Sequence, residues 1–166
     1  LAEIFWCSGA AMCIRREVYR NAGGLDELFF AHMEEIDLCW RIRNVGWSLK
    51  VNPQSVVYHL GGGSLPMNHP RKLFLNYRNN LLMIHKNLYP TLRRRVMFFR
   101  YGLDFAAAMM FLMKGEYNNT KSVFAAYREF WKQRKHYTPV TVKHKDDCIF
   151  KCSIILAFYL RGKKYF

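Results

Sequence analysis

Three carboxylates fall within four positions, Glu34-Glu35-Ile36-Asp37, and Arg41 follows one helical turn after the last of them. Acidic side chains at a helix start are favoured by the helix dipole. The i,i+4 spacing of Asp37 and Arg41 predicts an ion pair on one face, with Glu34 on roughly the same side and Glu35 pointing elsewhere. Crowded carboxylates can hold one member at a raised pKa, as a general base requires. The same run also fits an ordinary capped, solvated helix start. His59 stands just before Gly61-Gly62-Gly63-Ser64. It reads either as a plain polar residue or as a metal ligand or phosphate contact beside a loop whose amides can approach an anion. The cysteines at 7, 13, 39, 148 and 152 are odd in number and form neither a CxxC pair nor a Cys/His zinc spacing. That excludes a disulfide scaffold and leaves Cys148 and Cys152 as core residues.

The elements that must position these groups follow from periodicity and breakers. Residues 4–15 read as a strand interrupted at Gly9, and Arg16 to Asn21 as a short helix stopped by Gly23-Gly24. Asp26 or Glu27 starts the next element, with Phe29-Phe30 entering a core. The spacing of Ile36, Trp40 and Val45 predicts a helix over 33–45, ended by Gly46. Residues 48–58 alternate around Pro53, which predicts two short strands and a turn. Arg71 to Leu88 is a helix with an apolar side of Leu73, Phe74, Tyr77, Leu81 and Ile84, closed by Pro90. A helix over 121–135, capped by Asn119 or Thr120, places Val123, Phe124, Tyr127, Phe130 and Trp131 on one face. Residues 138–147 read as loop and 149–160 as a last apolar segment.

The 166 residues are 51% hydrophobic and 16% aromatic, a composition that excludes disorder as the default state. Net charge is +14, unevenly placed: residues 1–70 carry 6 Lys/Arg against 7 Asp/Glu, and residues 71–166 carry 20 against 5. The chain therefore divides into a near-neutral part, 1–66, and a basic, aromatic-rich tail, 67–166. Basic residues of the tail flank apolar runs rather than polar ones, which favours an anionic membrane surface over nucleic acid. Within Val96 to Met113 the only charges are Arg100 and Asp104, an i,i+4 pair. A central pair opposes a bilayer span, so residues 92–113 are expected to lie in the interface, with Arg93, Arg94 and Arg95 at the entrance meeting phosphates. A helix packed in a soluble core is the other reading of this stretch. The opening at Leu1, directly in an apolar stretch, is the pattern of a segment from inside a longer protein.

One ordered series runs through the first part: Gly9-Ala10-Ala11-Met12, Arg15-Arg16-Glu17-Val18-Tyr19, Gly23-Gly24-Leu25-Asp26-Glu27, Phe29-Phe30, Glu34 to Arg41, Gly46-Trp47, and Tyr58-His59 with Gly61-Gly62-Gly63-Ser64. It resembles the C-terminal half of the catalytic domain in family 2 inverting glycosyltransferases of the GT-A fold, bacterial rhamnosyltransferase-like members above all. Tyr77-Arg78-Asn79-Asn80 with Lys86-Asn87 resembles the helix that follows that domain. The implied fold is α/β, the C-terminal portion of a Rossmann-like GT-A domain followed by an amphipathic, membrane-associated helical tail.

The resemblance further implies a nucleotide-diphospho-sugar donor, a divalent cation (Mg²⁺ or Mn²⁺) and an acceptor hydroxyl on a glycan or lipid-linked molecule. The implied setting is cell-envelope synthesis at the cytoplasmic face of the membrane, peripherally bound, with no nucleic acid expected. The family's Glu-Asp pair falls on Glu34-Glu35, a departure that extends the second carboxylate by one methylene. It implies Glu35 as the base, Asp37 as a competitor and Glu34 as support. Gly9 and Ala10 match the acceptor-side segment, and Asp26 the loop leading to the base. Arg41, Gly62 and Gly63 complete the substrate-binding set, and His59 matches a metal-shell position. No Asp-x-Asp occurs in the chain, and the resemblance places the nucleotide-binding half before Leu1. The alternative is a non-enzymatic basic module, binding membrane or nucleic acid, whose acidic cluster is only a helix cap. On the glycosyltransferase reading the 166-residue chain by itself is expected to be inactive, and sugar transfer by the purified chain would refute that.

Overall fold

The computed structural model describes residues 1–59, 69–141, 157–158 and 162. Strand β1 (Ala2–Ile4) pairs antiparallel with β2 (Leu49–Val51), Ala2 opposite Val51 and Ile4 opposite Leu49. Between them lie helices α1 (Arg16–Asn21) and α2 (Glu34–Asn44). Three longer helices follow: α3 (Pro70–Asn87), α4 (Pro90–Met113) and α5 (Tyr117–Gln133). Short 3₁₀ turns cover Gly9–Ala11, Glu27–Phe29 and Arg134–His136.

Local chemistry accounts for most boundaries. Gly23 and Gly24 follow α1 at φ +81° and +66°, and Gly46 follows α2 at +93°, conformations that a Cβ would strain. Pro70 and Pro90 sit in the first turns of α3 and α4, where a missing N–H leaves no bond unmade. His69 caps α3, its Nδ1 accepting from the Arg71 amide at 3.2 Å.

The β segments are shorter than periodicity suggests. The strand expected over 4–15 is confined to Ala2–Ile4, because Ser8 caps a 3₁₀ turn, its Oγ accepting from the Ala10 amide at 3.3 Å. Of the two strands expected over 48–58 only Leu49–Val51 forms. Asn52 then turns the chain, its side chain accepting from the Gln54 amide at 3.2 Å and its carbonyl from the Ser55 amide at 3.1 Å. Helix α5 begins at Tyr117, earlier than the cap expected at Asn119 or Thr120. Both residues lie inside it. Thr120 donates its hydroxyl to the Ala108 carbonyl at 3.3 Å and so ties α5 to α4 instead of capping.

The main core gathers Phe29, Trp40, Leu81, Leu82, Met83, Ile84, Leu88, Met97 and Phe130. It therefore draws on both the near-neutral and the basic parts of the sequence, with α3 packed along α5 and against α2. The expected boundary at 66/67 falls in 60–68, outside the described residues. A smaller cluster of Val18, Ala22, Leu38 and Ile42 seats α1 on the other side of α2.

Beside the apolar contact of the main core, polar groups also join α2 to α3. Asp37 is fully buried, its Oδ2 accepting from Arg41 Nε at 2.8 Å and Lys86 Nζ at 3.0 Å, its Oδ1 from Asn87 Nδ2 at 2.7 Å. Lys86 also reaches Asp26 Oδ2 at 2.7 Å. Two carboxylates and two cations thus neutralise one another in a site largely closed to water. Breaking such a buried pair leaves an uncompensated charge and costs about 3–5 kcal/mol. Asp37→Ala is accordingly expected to lower unfolding stability by about that amount, read as a drop in the urea midpoint. A change under ~1 kcal/mol, the scale of an exposed pair, would show that the site is wetter than the geometry implies.

Candidate active site

The acidic cluster opens α2, and the segment delivering it is the most contorted in the described chain. Asp26 caps the Glu27–Phe29 turn, its Oδ1 accepting from the Leu28 amide at 3.1 Å. Phe29 is buried in the core, and then three non-glycine residues take positive φ: Phe30 at 60°, His32 at 70° and Met33 at 72°. Each such residue costs on the order of 1–3 kcal/mol and persists only where surrounding contacts over-determine it.

Those contacts come from α3. Asn79, fully buried, holds its Nδ2 within 2.9 Å of the Phe29 carbonyl, 2.8 Å of Ala31 and 2.7 Å of His32. Arg78 Nη2 donates to the carbonyls of Leu28 at 2.7 Å and Phe29 at 3.2 Å, while its Nε donates to Asn79 Oδ1 at 2.9 Å. The turn before α2 is therefore pinned by one adjacent pair of side chains from a distant helix.

The carboxylates of the cluster have different fates. Both oxygens of Asp37 are taken by partners, and it anchors the helix. Glu34 and Glu35 each keep one buried oxygen, Oε2, with no hydrogen-bond partner, and the buried Nε2 of His32 is likewise unpartnered. Burial pushes the Glu35 carboxyl above its ordinary 4.5. Backbone amides oppose that shift, the Glu34 charge adds to it, and His32 offsets part of it. Gly9 lies alongside: a Cβ built there would stand 3.7 Å from Glu35 Cβ, so the small-residue turn and the acidic pair are neighbours. Ala10 occupies the same turn and is exposed. Behind the pair, burial pushes the Cys39 thiol up to about 12, and its Sγ stands 3.9 Å from Cys7 Sγ.

The other sequence-predicted residues are placed as follows. Asp26 faces Lys86, and although burial raises its carboxyl, hydrogen bonding and charge from Lys86 bring it below the ordinary value. Arg41 directs its guanidinium inward, to Asp37, to the Ala22 carbonyl and, at 2.6 Å, to the Gly24 carbonyl. It braces the Gly23-Gly24 turn against α2. His59 is exposed, and Gly62 and Gly63 lie outside the described residues. Among the described residues no three His, Cys, Asp or Glu side chains assemble as a metal-holding group.

Sequence reasoning did not single out His32, nor Arg78, Asn79, Lys86 and Asn87 as parts of the site. Spacing puts Asn79 and Lys86, seven residues apart, on one face of α3, but that helix also carries Arg71, Lys72, Asn76, Asn80 and His85, so spacing did not mark the four out.

Over 54 residues the chain is 37% identical to a protein of Mycobacterium tuberculosis (strain CDC 1551 / Oshkosh) named N-acetylglucosaminyl-diphospho-decaprenol L-rhamnosyltransferase. It is equally similar to the protein of the same name from strain ATCC 25618 / H37Rv. The match takes in 32% of this chain and 18% of each relative, so it spans about a fifth of their length. It supports a glycosyltransferase relationship over that third of the chain. No protein-family profile matches the chain, and no solved structure matches it.

The raised Glu35 carboxyl carries a definite pH signature. Its folded pKa exceeds the unfolded value near 4.5, so the folded state keeps a proton that the unfolded state has released. Its contribution to stability is complete below the unfolded value and is lost as pH rises through the folded value. Urea unfolding of the wild type between pH 4 and 8 should show this decline, and Glu35→Gln should remove that component. Identical pH profiles for the two proteins would refute the assigned environment.

Proposed function

We propose that this chain carries the acceptor side and catalytic base of a glycosyltransferase that moves a sugar from a nucleotide-diphospho-sugar to a hydroxyl of a lipid-linked glycan. The observation that carries the reading is Glu35: a half-buried carboxylate with a raised pKa and an unpartnered oxygen, beside Gly9, on a helix whose approach is strained and pinned. The similarity to a rhamnosyltransferase acting on a decaprenol-linked sugar supports the same class of chemistry.

In this mechanism the Glu35 carboxylate accepts the proton of the acceptor hydroxyl as its oxygen attacks the anomeric carbon. The bond from that carbon to the diphosphate breaks, and the nucleoside diphosphate leaves with the bonding pair. A single displacement of this kind inverts the anomeric centre. A carboxyl held above its usual range is better matched to proton abstraction near neutral pH than an ordinary glutamate. Glu34 supports it by raising that pKa. Asp37, saturated by Arg41, Lys86 and Asn87, keeps the helix start in place and is not the base.

The reading includes a GT-A fold for the parent domain, with residues 1–66 as its acceptor-side portion. Its divalent cation would take His59 as one ligand at most. With 18% of each relative's length matched, the donor side would be supplied by other parts of such a protein, and turnover belongs to the full-length protein. There, Glu35→Gln is expected to lower kcat by about 10²–10⁴-fold, the range of a lost general base, while KM for the donor and the thermal midpoint stay near wild type. Retention of turnover within a few fold would remove Glu35 from the base role and favour the non-enzymatic binding module.

A further inference from the structure

Helix α4 has two unlike sides. Toward α3 and α5 it presents Met97, Tyr101, Asp104 and Ala108. Asp104 is buried there, bonded by Arg100 Nε at 2.8 Å and by the Tyr127 hydroxyl at 2.8 Å, and the Arg100 guanidinium lies 5.5 Å from the Tyr77 ring centroid. The charge pair that would oppose membrane contact thus belongs to the packed side.

The outward side is apolar without interruption. Phe98 is 74% exposed, Phe99 59%, Leu103 54%, Phe105 59% and Met113 81%. From Val96 to Met113 no charged residue other than Arg100 and Asp104 occurs, which gives an exposed uncharged face about 27 Å long at 1.5 Å per residue. The best 18-residue window of α4 has a mean hydropathy of 1.5, with only 17% of it buried. A patch of this size on a soluble surface marks a contact site.

Charge identifies the occupant. Arg94 and Arg95 are exposed one turn before Phe98 and Phe99, and Lys114 is exposed at the other end. Arg93 is tied down, donating to the His85 carbonyl at 3.1 Å. A second copy of the chain offers this face no carboxylate between Tyr89 and Gly115 except the inward Asp104. An anionic bilayer offers phosphates at headgroup level and hydrocarbon beneath.

Orientation follows from α5. It packs along α4 and exposes Lys121, Arg128 and Lys132, which a transmembrane α4 would drag into hydrocarbon at a cost of a few kcal/mol each. An in-plane helix keeps them in water. We propose that the outward half of α4 lies in the interface of an anionic lipid bilayer, Arg94 and Arg95 against lipid phosphates and Phe98, Phe99, Leu103, Phe105 and Met113 at the acyl boundary. This deepens the proposed function, resting on it only for the idea that the acceptor is met at that surface.

The test is sedimentation of the full-length protein with vesicles of phosphatidylglycerol and phosphatidylcholine, or of phosphatidylcholine alone, from low to high salt. Binding is expected to require the anionic lipid and to weaken with salt. R94Q/R95Q should weaken it roughly fivefold per arginine removed, and F98S/F99S should abolish the binding that survives high salt. These side chains are exposed, so far-UV circular dichroism should be unchanged; if F98S/F99S misfolds, the arginine pair and the salt series still decide. Vesicle binding by E35Q should equal wild type, and R94Q/R95Q should keep turnover on a short water-soluble acceptor, so failure of either idea is distinguishable. Equal binding to both vesicle types, or binding unaffected by both double variants, would overturn the proposal. So would dimerisation, or oligonucleotide binding, without vesicle binding.

Discussion

A fully buried carboxylate is tolerated only where donors surround it, and Asp37 meets that condition with groups from two helices. Arg41 comes from its own helix, one turn on, and Lys86 and Asn87 come from the last turn of α3. The joint is directional in a way that a hydrophobic contact is not, since each bond fixes an angle as well as a distance. Rotation of α2 about its axis would break the two bonds to α3 together, those from Lys86 and Asn87, so the orientation of Glu35, two residues before Asp37, is set by a contact made elsewhere. Lys86 extends the same network to Asp26, and its ammonium stands 4.9 Å from the Tyr137 ring and 5.6 Å from that of Phe29.

The strained turn depends on α3 in a second way. Asn79 has two amide hydrogens for three carbonyls, all within 2.9 Å, so it holds the bend of residues 29–32 by sharing them. Positive φ at Phe30, His32 and Met33 would relax in a free peptide. Here it persists because relaxation would strand Asn79 and Arg78 in a buried site. The result is a carboxylate pair at the head of α2 that is partly dehydrated and oriented by the fold itself, the kind of preorganisation that the proposed general base would need.

From Val96 to Met113 helix α4 turns its one charge pair, Arg100 and Asp104, toward the protein and leaves large apolar side chains exposed on the other side. The inward pair is supported by two tyrosines, Tyr77 and Tyr127. The outward aromatics are exposed, with exposed cations at both ends. The excess charge of the second part of the chain therefore has a geometric meaning: part of it, as in Arg93 and Lys86, is consumed by carbonyls and carboxylates within the fold, and part, as in Arg94 and Arg95, faces out.

Helix positions, their proline and glycine boundaries, and both i,i+4 ion pairs were legible from residue spacing, because they depend on neighbours within one or two turns. The β segments were not. Alternation over 4–15 and 48–58 suggested longer strands than form, since Ser8 and Asn52 bond to nearby amides and close turns that hydrophobic pattern does not register. The same limit applied to the acidic run. Glu34, Glu35 and Asp37 are nearly equivalent in sequence, and local rules assign all three to a helix start. Which is anchored and which keeps a free, raised carboxyl was decided by Lys86 and Asn87, about fifty residues away, and by the burial that α3 imposes. The sequence by itself determined that carboxylates would gather at the head of a helix. Only the tertiary structure could separate their roles, because the energy of a charge depends on the dielectric and the donors around it, and those came from another part of the chain.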